Sequence, residues 1–186
     1  MKRIATVLFL VAITAAGASA QEFKTFRVGL GAGYAMPGGK GAKAGALFYL
    51  EPGYRISDQL LANLRMEWAV IARGFADEQS AEVDVAAMGS YTLNGQYYFN
   101  NNNFRPFAGL GLGIYSLAAV SVEASAGGGS VDAVAATSKF GFYPRVGFDA
   151  GHFQFSLDYN IVPETNGVKN SYLGIRLGGF IGGGRK

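Results

Sequence analysis

The chain of 186 residues contains no cysteine and a single histidine, His152. The lack of cysteine excludes disulfides and thiolate metal sites. A Ser–His hydrolase needs an imidazole beside its nucleophile, and no serine-nucleophile signature accompanies His152. We therefore predict a protein that is not an enzyme, with no cofactor and no metal. The acids Asp77, Glu78, Glu82 and Asp84 could hold calcium weakly, but a solvated loop is the favoured interpretation of that segment.

Most of the excess positive charge lies at the N-terminus. Met1-Lys2-Arg3 precedes a short apolar stretch, Ile4 to Ala16, and then Ala18-Ser19-Ala20, a small-x-small cleavage pattern. About 13 apolar residues are few for a spanning helix, which needs about 20. We predict a cleaved signal peptide over residues 1–20 and one domain over residues 21–186. Its removal takes two of the 16 basic residues and lowers the formal net charge from +3 to +1, so bulk charge predicts no nucleic-acid partner.

Apolar and polar residues alternate along the rest of the chain, which has no apolar run long enough for a transmembrane helix. Strict alternation at a period of two predicts β-strands with one apolar face. In the third run, Leu64, Met66 and Trp68 share one face, and Arg65 and Glu67 share the other. Eight such runs occur: Phe26 to Tyr34, Ala46 to Tyr54, Leu60 to Arg73, Val85 to Phe99, Phe104 to Leu117, Lys139 to Ala150, Phe153 to Val162 and Ser171 to Ile181.

Short and long connections alternate between these runs. The short ones are Ser57-Asp58-Gln59, Asn100 to Asn103 and Gly151-His152; the longer ones are Pro37 to Lys43, Gly74 to Asp84, Ala118 to Ser138 and Pro163 to Lys169. Bacterial outer-membrane barrels combine short periplasmic turns with longer external loops, and an even strand count places both termini in the periplasm. The sequence therefore predicts an all-β fold, an eight-stranded antiparallel up-and-down transmembrane β-barrel.

A soluble eight-stranded barrel, with its apolar face inward, would alternate in the same way. Runs of about 10 to 14 residues, long enough to cross a membrane at a tilt, favour an apolar exterior instead. Glycines on the polar face leave room for long charged side chains, and aromatics gather near the short turns as in an interfacial girdle. The predicted lipid-facing aromatics are Tyr54, Trp68, Tyr97, Phe99, Phe148, Phe153 and Phe155.

Turn length sets the strand register, because opposite residues of an antiparallel pair point to the same face. A two-residue turn at Gly151-His152 places Arg145 opposite Asp158, and a three-residue turn after Ile56 places Glu51 opposite Arg65. We predict that reversing the charge of Glu51 alone or of Arg65 alone lowers the unfolding temperature in detergent, and that reversing both charges recovers much of the loss. A four-residue asparagine turn would place Tyr98 opposite Arg105, in a cation–π contact.

An eight-stranded barrel encloses just enough room for side chains to fill. Charges inside it must be paired to be tolerated. We therefore predict a filled, charged interior without a wide pore, in which any residual water path prefers anions. The predicted charge network consists of Arg27, Glu51, Arg55, Arg65, Glu67, Arg105, Arg145, Asp149, Asp158 and Arg176.

Three segments, together with the signal peptide, resemble the "porin family" of small outer-membrane β-barrels: Leu93 to Phe99, Arg105 to Gly113 and Tyr172 to Phe180. That family is similar in fold to the OmpA transmembrane domain, OmpX and OmpW. The resemblance implies a location in the outer membrane of a Gram-negative bacterium, in contact with lipid and lipopolysaccharide. It also implies insertion by the outer-membrane assembly machinery, which reads the last strand. Here six residues follow Phe180, a departure from the family's terminal signal.

The favoured function is a structural or surface-interaction role for a non-enzymatic, monomeric barrel. The alternative is a narrow porin or OmpW-like channel for small or hydrophobic solutes. The segment from Ala118 to Ser138 is the best candidate for a surface partner, because valine-containing runs flank its central glycines. It would either extend the two strands as a hairpin that accepts an added strand or form a flexible loop.

Overall fold

A computed structural model describes residues 22–38, 44–77, 80–123, 130–165 and 169–186. The predicted signal peptide, residues 1–20, lies outside this part of the chain. Glu78 and the side chains of Asp77, Glu82 and Asp84 also lie outside it, so the weak calcium alternative stays a prediction. Within the described part, no helix is long and apolar enough to span a membrane.

The described residues form eight strands, each paired antiparallel with its neighbours along the chain. The last strand also pairs with the first, from Arg27 opposite Gly182 to Pro37 opposite Tyr172, and this closes the barrel. The predicted all-β, eight-stranded antiparallel fold is confirmed. The strands are β1 (Phe26–Pro37), β2 (Gly45–Arg55), β3 (Leu60–Asp77), β4 (Ser80–Tyr98), β5 (Phe104–Glu123), β6 (Ser130–Ala150), β7 (Phe153–Asn160) and β8 (Tyr172–Gly182).

The period-two pattern of the sequence becomes an apolar outer wall and a polar interior. Along β7, Ser156 and Asp158 are buried, whereas Tyr159 is 48% exposed. On β5, Leu110 is 67% exposed although it lies in the middle of the wall. A soluble barrel would bury such residues and expose the charges. This distribution suits a wall that faces lipid, and the soluble alternative is excluded.

Strand pairing extends into two segments that the sequence analysis gave as long connections. Residues 74–77 belong to β3 and residues 80–84 to β4, and the two strands pair as far as Asp77 opposite Ser80. Residues 118–123 likewise extend β5 and residues 130–138 extend β6, with Val122 opposite Val131 and a register shift between Leu117 and Ala119. The described part of this segment therefore follows the hairpin alternative. Valines, which favour strands, occur in the described part of both segments, namely Val83, Val120, Val122, Val131 and Val134.

Two of the three predicted registers are confirmed and one is wrong. Arg145 faces Asp158, and the pairs that flank Glu51 keep the register that places it across from Arg65. Tyr98, however, faces Phe107 instead of Arg105. The asparagine turn is longer than predicted, because the Phe99 amide donates to the Pro106 carbonyl and leaves residues 100–105 to make the turn. The shift of two residues preserves parity, so Arg105 still points inward.

Candidate functional site

Ten charged side chains were predicted to line the interior, and the structure places all of them on the inner face of the barrel. Their exposed fractions range from 0% for Arg176 to 4% for Arg105. They divide by height into a central group and a group at the end that carries the short turns. The central group contains Glu51, Arg65, Glu67, Arg145, Asp158 and Arg176; the other contains Arg27, Arg55, Arg105 and Asp149.

Glu51 lies between two arginines in the central group. Arg65 Nε donates to Glu51 Oε1 at 2.5 Å, and Arg145 Nη1 donates to the same oxygen at 2.9 Å. Arg145 also donates to Gln154 and Ser156 through Nη2. Although Arg145 faces Asp158 in the register, its ionic partner is Glu51, from the far side of the barrel. Long side chains therefore join strands that are not neighbours.

Arg176 completes the central group. Its Nη2 donates to Glu67 Oε2 at 2.6 Å, and its Nη1 forms an ion pair with Asp158. Arg65 Nη1 lies 3.4 Å from Asp158 Oδ2 and 3.9 Å from Glu67 Oε2, which links the two halves. The group holds three arginines and three acids and is formally neutral. Such dense pairing is what allows charges to be buried in a barrel of this size.

The second group has more cations than acids. Arg27 Nη1 donates to Asp149 Oδ2 at 2.8 Å, and the Tyr98 hydroxyl donates to the same oxygen at 2.8 Å. The Arg27 guanidinium carbon also lies 3.8 Å from the centroid of the Phe180 ring. Arg55 and Arg105 complete the group, so the excess of positive charge inside the barrel is concentrated at this end.

Phe23 packs against the second group, a position that the sequence analysis did not predict. It precedes β1, yet it is only 6% exposed, and its ring lies 3.8 Å from the Arg105 guanidinium and 5.1 Å from that of Arg55. Its backbone amide donates to Asp58 Oδ1 in the turn between β2 and β3. The signal in the sequence was a lone aromatic residue outside every alternating run.

The interior is apolar above the central charges, which was not predicted. Leu47, Ala69 and Met88 are buried there beside four inward-facing tyrosines. Three of the tyrosines have a hydrogen-bonded hydroxyl. Tyr172 donates to Glu67 Oε1 at 2.6 Å, Tyr115 donates to Asn160 Oδ1 at 2.8 Å, and the Tyr143 hydroxyl lies 3.2 Å from Thr92 Oγ1. Pairing each phenol with a polar partner is the usual condition for burying a tyrosine. The tyrosines are Tyr49, Tyr115, Tyr143 and Tyr172.

The predicted lipid-facing aromatics lie on the outer wall. Five are between 45% and 60% exposed, namely Tyr54, Trp68, Tyr97, Phe99 and Phe153. Phe148 and Phe155 are half-buried because their rings pack together, with centroids 5.5 Å apart. Most of these rings cluster near the short turns, where an aromatic belt meets the interface of a membrane.

Residues 5–179 match the family model described as "Outer membrane protein beta-barrel domain". The chain belongs to this family. It is an integral outer-membrane β-barrel of a Gram-negative bacterium. In bacterial barrels of this kind the short turns lie at the periplasmic end. No curated protein matches the chain.

Three solved structures of small outer-membrane proteins are similar to the outer-membrane barrel described here. Neisserial surface protein A is 19% identical, over 83% of this chain and 94% of that one, with a TM-score of 0.49. Ail of Yersinia pestis is 16% identical, over 88% and 99%, with a TM-score of 0.49. OprG of Pseudomonas aeruginosa is 15% identical, over 87% and 98%, with a TM-score of 0.49.

Proposed function

We propose that this outer-membrane barrel is a non-enzymatic surface-interaction protein, which binds an extended segment of a partner along the free edge of β6. The main support for this proposal is the length of four of the strands. The strands β3 to β6 contain 18, 19, 20 and 21 residues, whereas the other four contain 8 to 12. A tilted strand needs about 9–11 residues to cross the membrane. The four long strands therefore continue outside it as a sheet.

The sheet has an open edge on the β7 side. Within the described residues, β6 pairs with β5 from Ser130 onward, but its first contact with β7 is the bridge between Phe142 and Ile161. The backbone of residues 130–141 thus has hydrogen-bonding groups with no strand beside them. Such an edge accepts an added strand through its main chain, and the partner's sequence then matters less than its extended shape.

A proline at the register shift of β6 tests this proposal. Residues 135 and 136 have no partner on β5, so Ala135→Pro removes an edge N–H without breaking the β5 ladder. Ala135→Val, which keeps that N–H, is the matched control. We expect a fluorescent peptide with the sequence of residues 114–123, which already pairs with β6, to bind wild type and Ala135→Val in lipid nanodiscs. Ala135→Pro should lose this binding. Equal binding by all three proteins would contradict strand addition at this edge.

The proposal also treats the barrel as closed to solutes. The neutral central group, with Glu51 and Arg65 less than 3% exposed, and the tyrosine layer above it occupy the space that a water path would need. We expect no steady conductance from purified protein in planar bilayers. Anion-selective openings would point to a residual path through the cationic end. Cation-selective conductance would contradict that account of the interior charge.

A narrow channel for small or hydrophobic solutes is the second candidate, and the seam between β6 and β7 favours it. Pro144 has no N–H to donate, and the ladder is interrupted between Phe142 and Arg145. A shallow apolar groove of about 270 Å³ lies there on the lipid face, between Val146 and Tyr159. Uptake of a hydrophobic solute by cells with and without the protein distinguishes the two functions. An uptake defect that Pro144→Val reproduces would favour the channel.

A further inference from the structure

We propose that the periplasmic mouth of the barrel is a binding site for a small oxyanion, a carboxylate or a phosphate group, with Arg105 as its principal ligand. This site lies at the opposite end from the β6 edge and is independent of strand addition. It rests on three features of the mouth: a cavity, a buried cation that lacks an acidic partner, and a net positive lining.

The cavity has a volume of about 300 Å³ and lies between two short turns and the C-terminal tail. The tail reaches it because Gly182 and Gly183 adopt positive φ values of 73° and 63°, which favour glycine. These residues turn the chain beneath the barrel, where Arg185 pairs with Phe23 in a β-bridge. Gly183, Gly184 and Arg185 thus form one wall of the cavity.

Arg105 is buried at this cavity without an acidic partner. Its guanidinium carbon lies 3.8 Å from the centroid of the Phe23 ring and 4.3 Å from that of Tyr98. Its Nε donates to the Asn100 carbonyl at 3.2 Å, and its Nη2 donates to the Asp58 carbonyl at 2.5 Å and to Asn101 Oδ1 at 3.3 Å. All three acceptors are neutral. Among the described residues no carboxylate forms a salt bridge with Arg105, and Nη1 makes no hydrogen bond.

The acid that lines the cavity does not balance this charge. Asp149 is paired with Arg27, and its oxygens also accept hydrogen bonds from Tyr98 and Gln154. Arg185 adds a second cation at the rim, where its ion pair with Glu22 is largely exposed to solvent and therefore weak. The lining is positive overall. The carboxylates of Asp58 and Asp149 attract Arg105 without bonding to its guanidinium. Burying an arginine with no bonded carboxylate is costly, and an anion in the cavity would offset that cost.

The groups around the cavity suit an oxyanion in particular. A planar guanidinium binds carboxylate and phosphate through directional, charge-assisted hydrogen bonds. The amides of Asn102 and Asn103, which also line the cavity, can donate to further oxygens. The volume lies at the small end of the range for ligand pockets. A free ion or a small metabolite with one anionic group therefore fits, and a bulky ligand does not.

Titration of the isotope-labelled mature protein in zwitterionic detergent tests the site. Sodium phosphate and sodium acetate are added separately at constant ionic strength, with sodium chloride as the reference salt. We expect saturable shifts of the Gly151 and Gly183 amides with at least one oxyanion, and the arm that saturates identifies phosphate or carboxylate as the ligand class. Shifts that match those in chloride, or that never saturate, would overturn the proposal.

Variants then assign the binding to Arg105. Arg105→Gln should weaken it about tenfold or more, as expected for losing a hydrogen bond to a charged group. Asn102→Asp, which changes an exposed position on the cavity wall, should weaken it through charge alone in a protein that folds normally. Lys139→Gln removes one cation from β6, far from the mouth, and should change nothing. Unchanged affinity in a folded Arg105→Gln would overturn the role of Arg105. Equal affinities in wild type and in Asn102→Asp would overturn the location of the site at the mouth, even if Arg105→Gln failed to fold.

Discussion

Replacing Glu51 with glutamine is the sharpest test of the central charge group. Glu51 is the acid that pairs with Arg145, at 2.9 Å, and it also pairs with Arg65, at 2.5 Å. In Glu51→Gln, Arg65 keeps Asp158 and Glu67 nearby. Arg145 keeps only the neutral groups of Gln154 and Ser156 among its described hydrogen-bond partners. The variant therefore buries one arginine without an acid.

The expected loss of stability follows from that orphaned charge. Two unit charges about 4 Å apart interact by about 4 kcal/mol at an effective dielectric constant of about 20. Breaking one side of a buried ion pair costs about 3–5 kcal/mol in proteins. We expect Glu51→Gln to lose stability in that range. Arg65→Met should lose less stability, about 1–3 kcal/mol. In this variant Glu51 still forms its ion pair with Arg145, and Glu67 and Asp158 still form theirs with Arg176.

The double variant Glu51→Gln/Arg65→Met restores neutrality and should lose less than the sum of the two single losses. A coupling of about 0.5–3 kcal/mol is typical for residues in contact. The structure changes the expectation for charge reversal: an arginine at position 51 would meet Arg145, and a glutamate at position 65 would meet Asp158. Reversing both charges should therefore fail to rescue the barrel.

Urea unfolding in lipid vesicles, followed by Trp68 fluorescence and heat-modifiable gel mobility, measures these losses. Additive effects of Glu51→Gln and Arg65→Met would refute the shared network. So would a larger loss for Arg65→Met than for Glu51→Gln, or full recovery on double reversal.

Three further predictions concern the wall and the N-terminus. Gly113→Ala should lower the free energy of unfolding by about 1–3 kcal/mol through overpacking, because the added methyl group would collide with the Tyr91 carbonyl. The control Gly95→Ala places its methyl group in open space and should be close to neutral in the same urea unfolding assay. Leu112→Arg, on the lipid face, should lower the free energy of unfolding by about 2–4 kcal/mol if position 112 lies near the bilayer midplane. A clearly smaller loss, measured by urea unfolding in vesicles, would contradict that placement. Mass spectrometry of the protein from the outer membrane should show a chain that begins immediately after Ala20; a retained leader would contradict the cleavage prediction.

The fold was predictable because one physical rule acts on every strand. Lipid on one side and packed polar groups on the other impose a period of two. That period appears in residues such as Leu64, Arg65 and Met66, which the structure places alternately outside and inside. Turn parity then placed Glu51 across from Arg65 and Arg145 across from Asp158. A register follows from the sequence when the turn is short and its length is unambiguous.

The features that escaped prediction depend on contacts across the barrel or beyond its strands. The asparagine turn is longer than four residues because the Phe99 amide bonds to the Pro106 carbonyl. Arg105 also donates to the Asn100 carbonyl, a bond that forms only in the folded turn. Phe23 does not belong to an alternating run, and its ring packs against Arg55 and Arg105 only once the barrel has closed. The partner of Arg145 is Glu51 on a strand far along the chain. Turn length predicts only which residues face each other on adjacent strands, so it cannot predict partners from strands on opposite sides of the barrel.

The layers of the interior separate the two ends of this barrel physically. The neutral central group and the apolar tyrosine layer lie between the cationic mouth and the outer sheet, and their packing has little freedom to transmit a change. The bonds of Tyr172 to Glu67 and of Tyr115 to Asn160 fix the upper layer on the charges beneath it. A rigid interior suits a protein whose long β6 edge must be held in place outside the membrane. Strand addition at that edge and anion binding at the mouth should therefore be uncoupled, with each unaffected by saturation of the other.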